Sequence, residues 1–178
     1  MLAVAFLRAV NVGGTGKIAM ADLKALAAKM KLGNPRTLLH SGNLMFETAK
    51  SPAALEKLLE REIAAQFGLK TDPLVRTADE IDRLIARNPF PKEAKSDPGL
   101  LHICLLKDAV GAERLSALNG AIKGPEIARG TGREVFVFYP DGAGRSKLTN
   151  AVIERHLGTR ATARNWNTVN KIAAMLAQ

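Results

Sequence analysis

Residue types able to hold an anion gather in three stretches of the 178-residue chain. The first is Arg8-Ala9-Val10-Asn11-Val12-Gly13-Gly14-Thr15-Gly16-Lys17, where an apolar strand runs out into a polar, glycine-rich loop. Gly13, Gly14 and Gly16 permit positive φ and close approach of a ligand or of another backbone segment, while Asn11, Thr15 and Lys17 supply donors. The second, Asp141-Gly142-Ala143-Gly144-Arg145-Ser146-Lys147, joins small residues to two cations and a hydroxyl ahead of a predicted helix. Backbone N–H groups at a helix start beside Arg145 and Lys147 suit a phosphate, and Ser146 equally suits an N-cap. The third is Arg164-Asn165-Trp166-Asn167-Thr168, which holds the only tryptophan. Asn165 or Asn167 caps the last predicted helix, and Trp166 is either a packing anchor or a stacking platform for a base.

Several named chemistries do not fit these residues. Gly16-Lys17 is followed by Ile18, and Asn11 stands where a nucleotide-binding P-loop needs its first glycine, so both the magnesium-binding hydroxyl and the spacing are missing. No GxGxxG fingerprint occurs. His40, His102 and His156 are widely spaced and Cys104 is the sole cysteine, so no metal is expected, and no cofactor. His40-Ser41 lies outside any G-x-S-x-G elbow, and no residue is assigned a catalytic role.

The elements that position these stretches read as two similar series. Leu2–Leu7 is a near-continuous apolar run and predicts a buried central strand. Met20, Leu23, Leu26, Ala27 and Met30 follow at helical spacing, with Gly33 as the expected C-cap. Strand-like runs 36–40 and 44–48 flank Ser41-Gly42-Asn43, a hairpin turn. Ser51-Pro52 opens a second helix that Gly68 ends, and residues 72–76 form a strand that Pro73 confines to an edge or a strand start. Thr77 to Glu80 is a capping box for a third helix. The segment 89–99 is proline-rich and charged and reads as a linker. From Leu100 the order repeats: a strand at 100–107, a helix at 112–122, a hairpin of 126–129 with 134–139, a helix carrying Leu148 to Leu157, a strand at 159–163 and a terminal helix. The expected fold is α+β, with two ferredoxin-like β-α-β-β-α-β halves in one compact chain and extra helices after each half. The halves are 1–88 and 100–178. In such a half, the loop after the first strand and the hairpin turn are expected at opposite ends of the sheet, which would separate the polar groups into two patches.

Composition limits the partners. Lys and Arg number 26 against 17 Asp and Glu, a net charge of +9. Residues 1–119 hold 17 basic and 13 acidic residues and residues 120–178 hold 9 and 4, so the last third is the more basic part. This balance favours anions through long-range attraction, or serves only solubility. A single cysteine and a short apolar N-terminal run predict a cytoplasmic protein without a membrane anchor. No feature sets an oligomeric state.

Taken together, Arg8 to Gly14, Lys17, Ser41-Gly42-Asn43, Asn88-Pro89-Phe90, Ser146-Lys147-Leu148 and Arg164 to Thr168 resemble the bacterial family called domain of unknown function 1697. The resemblance covers essentially the whole chain and implies a cytoplasmic protein of two ferredoxin-like halves, with no established activity. Ala9-Val10 stands where the family pattern usually has Gly-Ile, and His40 where a polar amide or similar residue is expected.

The leading expectation is a binding protein for a phosphate-bearing ligand, a nucleotide or nucleic acid, or otherwise a small anion. Its ligand-binding residues are Arg8, Asn11, Gly13, Gly14, Lys17, Ser41, Gly42, Asn43, Arg145, Ser146, Lys147, Arg164, Asn165, Trp166 and Asn167. The rival is an enzyme acting on a small anionic substrate, with Lys17 or Lys147 as electrophile and Ser41 or a water as nucleophile. The third reading makes the polar motifs purely structural. The aromatic pairs of an RRM strand are missing, which counts against sequence-specific RNA reading.

Overall fold

In the computed structural model, which describes residues 1–178, the apolar run Leu2–Leu7 forms strand β1, and every residue from Ala3 to Leu7 is buried. Helix α1 (Met20–Lys29), strands β2 (Gly33–Leu38) and β3 (Asn43–Glu47), helix α2 (Pro52–Phe67) and strand β4 (Pro73–Thr77) follow, then helix α3 (Ala78–Ala86). The sheet is antiparallel in the order β2-β3-β1-β4. β1 is therefore central, as its continuous hydrophobicity requires, and β4 is the edge strand that Pro73 tolerates. Alternation along β1 sends Ala3, Ala5 and Leu7 into a core with Leu23 and Leu26 of α1 and Leu55, Leu59 and Ile63 of α2.

The second series begins after a short helix α4 (Glu93–Ser96) within the stretch expected to be a linker. Strand β5 (Leu101–Val110), helix α5 (Ala112–Ala121), strands β6 (Ile127–Arg129) and β7 (Gly132–Phe138), helix α6 (Asn150–Leu157), strand β8 (Ala161–Asn165) and helix α7 (Trp166–Leu176) complete the chain. Its sheet is again antiparallel, in the order β6-β7-β5-β8. Cys104, Leu106, Leu118, Val135, Val137, Tyr139, Ile153 and Leu157 share its core. The fold is thus α+β, with two four-stranded antiparallel sheets and seven α-helices. The chain divides into two compact units, Met1–Asp82 with Ile172–Gln178, and Arg83–Lys171. That division falls inside α3, and residues 89–99 belong to the second unit. No helix is long and apolar enough to cross a membrane.

Four local expectations change. The left-handed residue after α1 is Lys31, at φ 59°, with Leu32 N–H bonded to Ala27 O. Gly33 instead pairs with Glu47, whose Cβ lies 3.0 Å from where a Gly33 Cβ would sit. Helix α6 starts at Asn150 with Thr149 as N-cap, and Ala143–Arg145 forms a 3-10 turn ahead of Ser146. Strand β8 extends through Asn165, so Arg164 and Asn165 are strand residues. Finally, the loop after β1 and the β2–β3 turn meet at the same end of their sheet. β1 and β3 are antiparallel neighbours with Phe6 opposite Asn43, so the exit of one lies beside the entry of the other.

Candidate functional site

At that end of the first sheet the polar residues bond mostly to one another. Leu7 N–H donates to Gly42 O at 2.9 Å and Arg8 N–H to Asp72 O at 3.1 Å. The Asn11 amide is used on both sides: Nδ2 donates to Ile18 O at 2.9 Å and His40 O at 2.7 Å, and Oδ1 accepts from Ile18 N–H at 2.9 Å. Asn43 is fully buried, and its Nδ2 reaches Leu38 O at 2.8 Å and Ser41 Oγ at 3.0 Å. Arg8 Nη1 faces Asp72 at 3.8 Å, and Thr71 Oγ1 donates to Arg8 O at 2.6 Å. Two glycines are dictated by contact: a Cβ on Gly16 would sit 2.6 Å from Ala9 O, and one on Gly42 2.8 Å from Leu7 Cβ. Gly13, Gly14, Lys17 and His40 are exposed, beside a shallow depression of about 370 Å³ that Asn11 and Ile18 also line. The structure therefore brings Arg8, Asn11, Lys17, Ser41, Gly42 and Asn43 together, with the donors of Asn11 and Asn43 spent on the chain itself.

The second glycine-rich stretch has a different setting. Residues 139–149 strap across from β7 to α6 and form, with the α5–β6 turn and one face of α6, a groove of about 1130 Å³. Leu100, Ile122, Leu148 and Val152 give it an aliphatic floor, and Lys123, Arg145, Lys147, Arg155 and His156 surround it together with the carboxylates of Glu126 and Asp141. The four Lys and Arg side chains are exposed and make no ion pair. Val152, Arg155 and His156 reach it together because residues three and four apart share a helix face. Tyr139 anchors one end of the strap: it is buried and its hydroxyl donates to Leu148 O at 3.1 Å. Burial first, then nearby Cys104 and Glu126, raise the pKa of that phenol and keep it protonated as a donor.

Ser146 lies half-buried at the groove between two fixed partners. Its hydroxyl donates to Glu126 Oε1, and its Oγ accepts Leu148 N–H at 2.9 Å. Glu126 folds back over Gly124, where an added Cβ would meet the carboxylate. The remaining predicted residues are placed by β8 and α7. Arg164 is 7% exposed, and its Nη1 donates to Thr162 Oγ1 and Ala163 O, both at 2.8 Å. Burial lowers its pKa to about 10, so it stays charged at neutral pH. Asn165 Oδ1 accepts Thr168 N–H at 2.9 Å and caps α7, Trp166 is half-buried in the first turn, and Asn167 is exposed.

Lys123, Glu126, Arg155 and His156 were not among the sequence candidates. A signal for two of them existed, since Arg155 and His156 fall three and four residues after Val152 and so share its face of α6. Lys123 and Glu126 flank a Gly-Pro break that periodicity assigns only to a turn.

No curated protein matches the chain. Among solved structures it is similar to the conserved bacterial protein SP0830 from Streptococcus pneumoniae, at 20% identity and a TM-score of 0.78, over 98% of each chain. At that identity the likeness concerns the fold. Residues 1–136 match the model described as Protein of unknown function (DUF1697), and the chain belongs to that family.

Proposed function

We propose that this protein binds a phosphate-bearing small molecule, a nucleotide in the first instance, in the groove beneath the 139–149 strap. The observation that carries the reading is a ring of four exposed, unpaired cations around an aliphatic floor. Elsewhere in this chain two exposed arginines do pair with carboxylates, Arg61 with Glu62 at 2.8 Å and Arg87 with Glu134 at 3.6 Å. Like-charged side chains held around one concavity focus an attractive field on an anion, and the floor would accept its apolar part.

Each half is read as a ferredoxin-like unit, on the strand orders and the split β-α-β connection. Laying the two series side by side separates scaffold from elaboration. The β3–α2 connection is residues 48–51, whereas its counterpart β7–α6 is residues 139–149. The added length is the strap, and long connections on a rigid scaffold are where binding residues concentrate. No Phe, Tyr or Trp side chain lines the groove, which favours a discrete nucleotide over a single strand stacked base by base.

The test is fluorescence anisotropy with labelled adenine and guanine nucleotides, repeated on Lys147→Ala and Arg155→Ala. Each cation that bonds phosphate should weaken binding by roughly tenfold or more. Saturable binding lost in both variants supports the reading. Binding that is unchanged by them, or none in the wild type with nucleotides or inorganic phosphate, removes it.

A further inference from the structure

We infer that the groove carries out chemistry on its phosphate, with Ser146 as nucleophile and Glu126 as its base; this rests on the phosphate-binding reading above. A hydroxyl nucleophile needs a base within hydrogen-bond reach. The Ser146 hydroxyl donates to Glu126 Oε1, and the carboxylate occupies space that a Cβ on residue 124 would fill, so Gly124 leaves it room to reach Ser146. The Oγ accepts one backbone donor, Leu148 N–H, at 2.9 Å. One lone pair remains for attack, and the Leu148 N–H stabilises negative charge that develops on the oxygen. Arg145 and Lys147 flank Ser146 in the chain and line the same groove, where they can neutralise phosphoryl oxygens.

The substrate class is a phosphate monoester or acyl phosphate with a good leaving group. Ser146 Oγ attacks phosphorus, the O–P bond of phosphoserine forms, and the bond from phosphorus to the leaving oxygen breaks with its electron pair. The serine proton passes to Glu126 and from there to the departing oxygen, which restores the carboxylate. Water then attacks the phosphoserine, Glu126 takes a proton from it, Oγ–P breaks, and that proton returns to Oγ. The sum is one ester or anhydride and one water converted to the free alcohol or acid and inorganic phosphate.

The experiment incubates the full chain with p-nitrophenyl phosphate and with acetyl phosphate. It follows release of phosphate and, by mass spectrometry after rapid acid quench, a gain of about 80 Da on the Ser146 peptide. Glu126→Gln is the decisive variant, because its amide oxygen still accepts the Ser146 hydroxyl but cannot take the proton. Ser146→Ala is the second. Turnover in the wild type that falls at least about 100-fold in both variants, with phosphate or nucleotide binding retained, supports the inference. Binding without turnover or adduct in the wild type overturns it and leaves the binding reading standing. Turnover that survives Glu126→Gln assigns the pair to holding the strap and also overturns it. Failure of the wild type to bind phosphate or nucleotide at all overturns both.

Discussion

Ala9 sits in the left-handed region at φ 56°, exposed, with Asn11 at φ 54° two residues on. Asn tolerates that geometry, because its side chain bonds locally, whereas alanine meets its own carbonyl there at a cost of about 1–2 kcal/mol. Ala9 holds the angle because its carbonyl abuts Gly16 and because Asn11, immediately beyond Val10, is pinned to Ile18 and His40. Ala9→Gly should therefore raise unfolding stability by about 1 kcal/mol, net of the added freedom of the unfolded chain. Urea denaturation measures it, and a loss of stability would mean the left-handed angle carries no strain. The residue types around Ala9 were legible in the sequence as donors beside glycines. What they donate to was not, because a spare Asn amide and one saturated by Ile18 and His40 read identically until the β1–β3 pairing closes the loop onto the hairpin. His40 makes the same point in reverse: its backbone carbonyl, which any residue offers, is the part that Asn11 uses.

At the scale of elements, each series ends in the same device, a strand with a buried arginine, a capping residue, then a helix. Arg76 and Thr77 lead into α3, where Thr77 N–H donates to Glu80 Oε2 at 2.8 Å and Glu80 N–H to Thr77 Oγ1 at 3.2 Å. Arg164 and Asn165 lead into α7 through the Asn165–Thr168 bond. The registers agree: Arg76 stands opposite Val4 of β1, and Arg164 opposite Ile103 of β5. This correspondence at residue level is hidden in the sequence because connections of different length shift it: Val4 and Ile103 are separated by a different interval from Arg76 and Arg164. Element order was readable because periodicity and caps are local. Element ends are less so: the sequence puts the last strand at 159–163, two residues before β8 (Ala161–Asn165), which makes strand residues look like a binding loop. Asn165→Ala tests the reassignment. It should lower stability by about 0.5–2 kcal/mol, as loss of an N-cap does, and leave nucleotide anisotropy unchanged. A weakened affinity at unchanged stability would return Asn165 to the ligand.

The whole molecule carries +9, and its response to acid combines a general and a specific part. As carboxylates protonate, the net charge grows and the folded state repels itself, a long-range effect that salt screens. The specific part comes from His102 on β5, paired between Val137 and Asn165 and in edge contact with Tyr139, ring centroids 5.1 Å apart. Burial lowers its pKa below the ordinary 6.5, and a backbone hydrogen bond at Gly99 offsets this only in part. The folded state thus prefers neutral His102, while the unfolded chain takes up a proton near pH 6.5. The stability this contributes is fully present above pH 6.5 and is lost as pH falls from there through the lowered folded value. Because the cost is desolvation at a covered position, added salt should not restore it. Melting temperature measured from pH 7.5 to 5, at low and high salt, separates the parts. A fall that persists at high salt in the wild type and flattens in His102→Asn, which cannot protonate, fits the burial of His102. A fall that salt abolishes, or that His102→Asn shares in full, assigns the acid response to the excess of lysine and arginine alone.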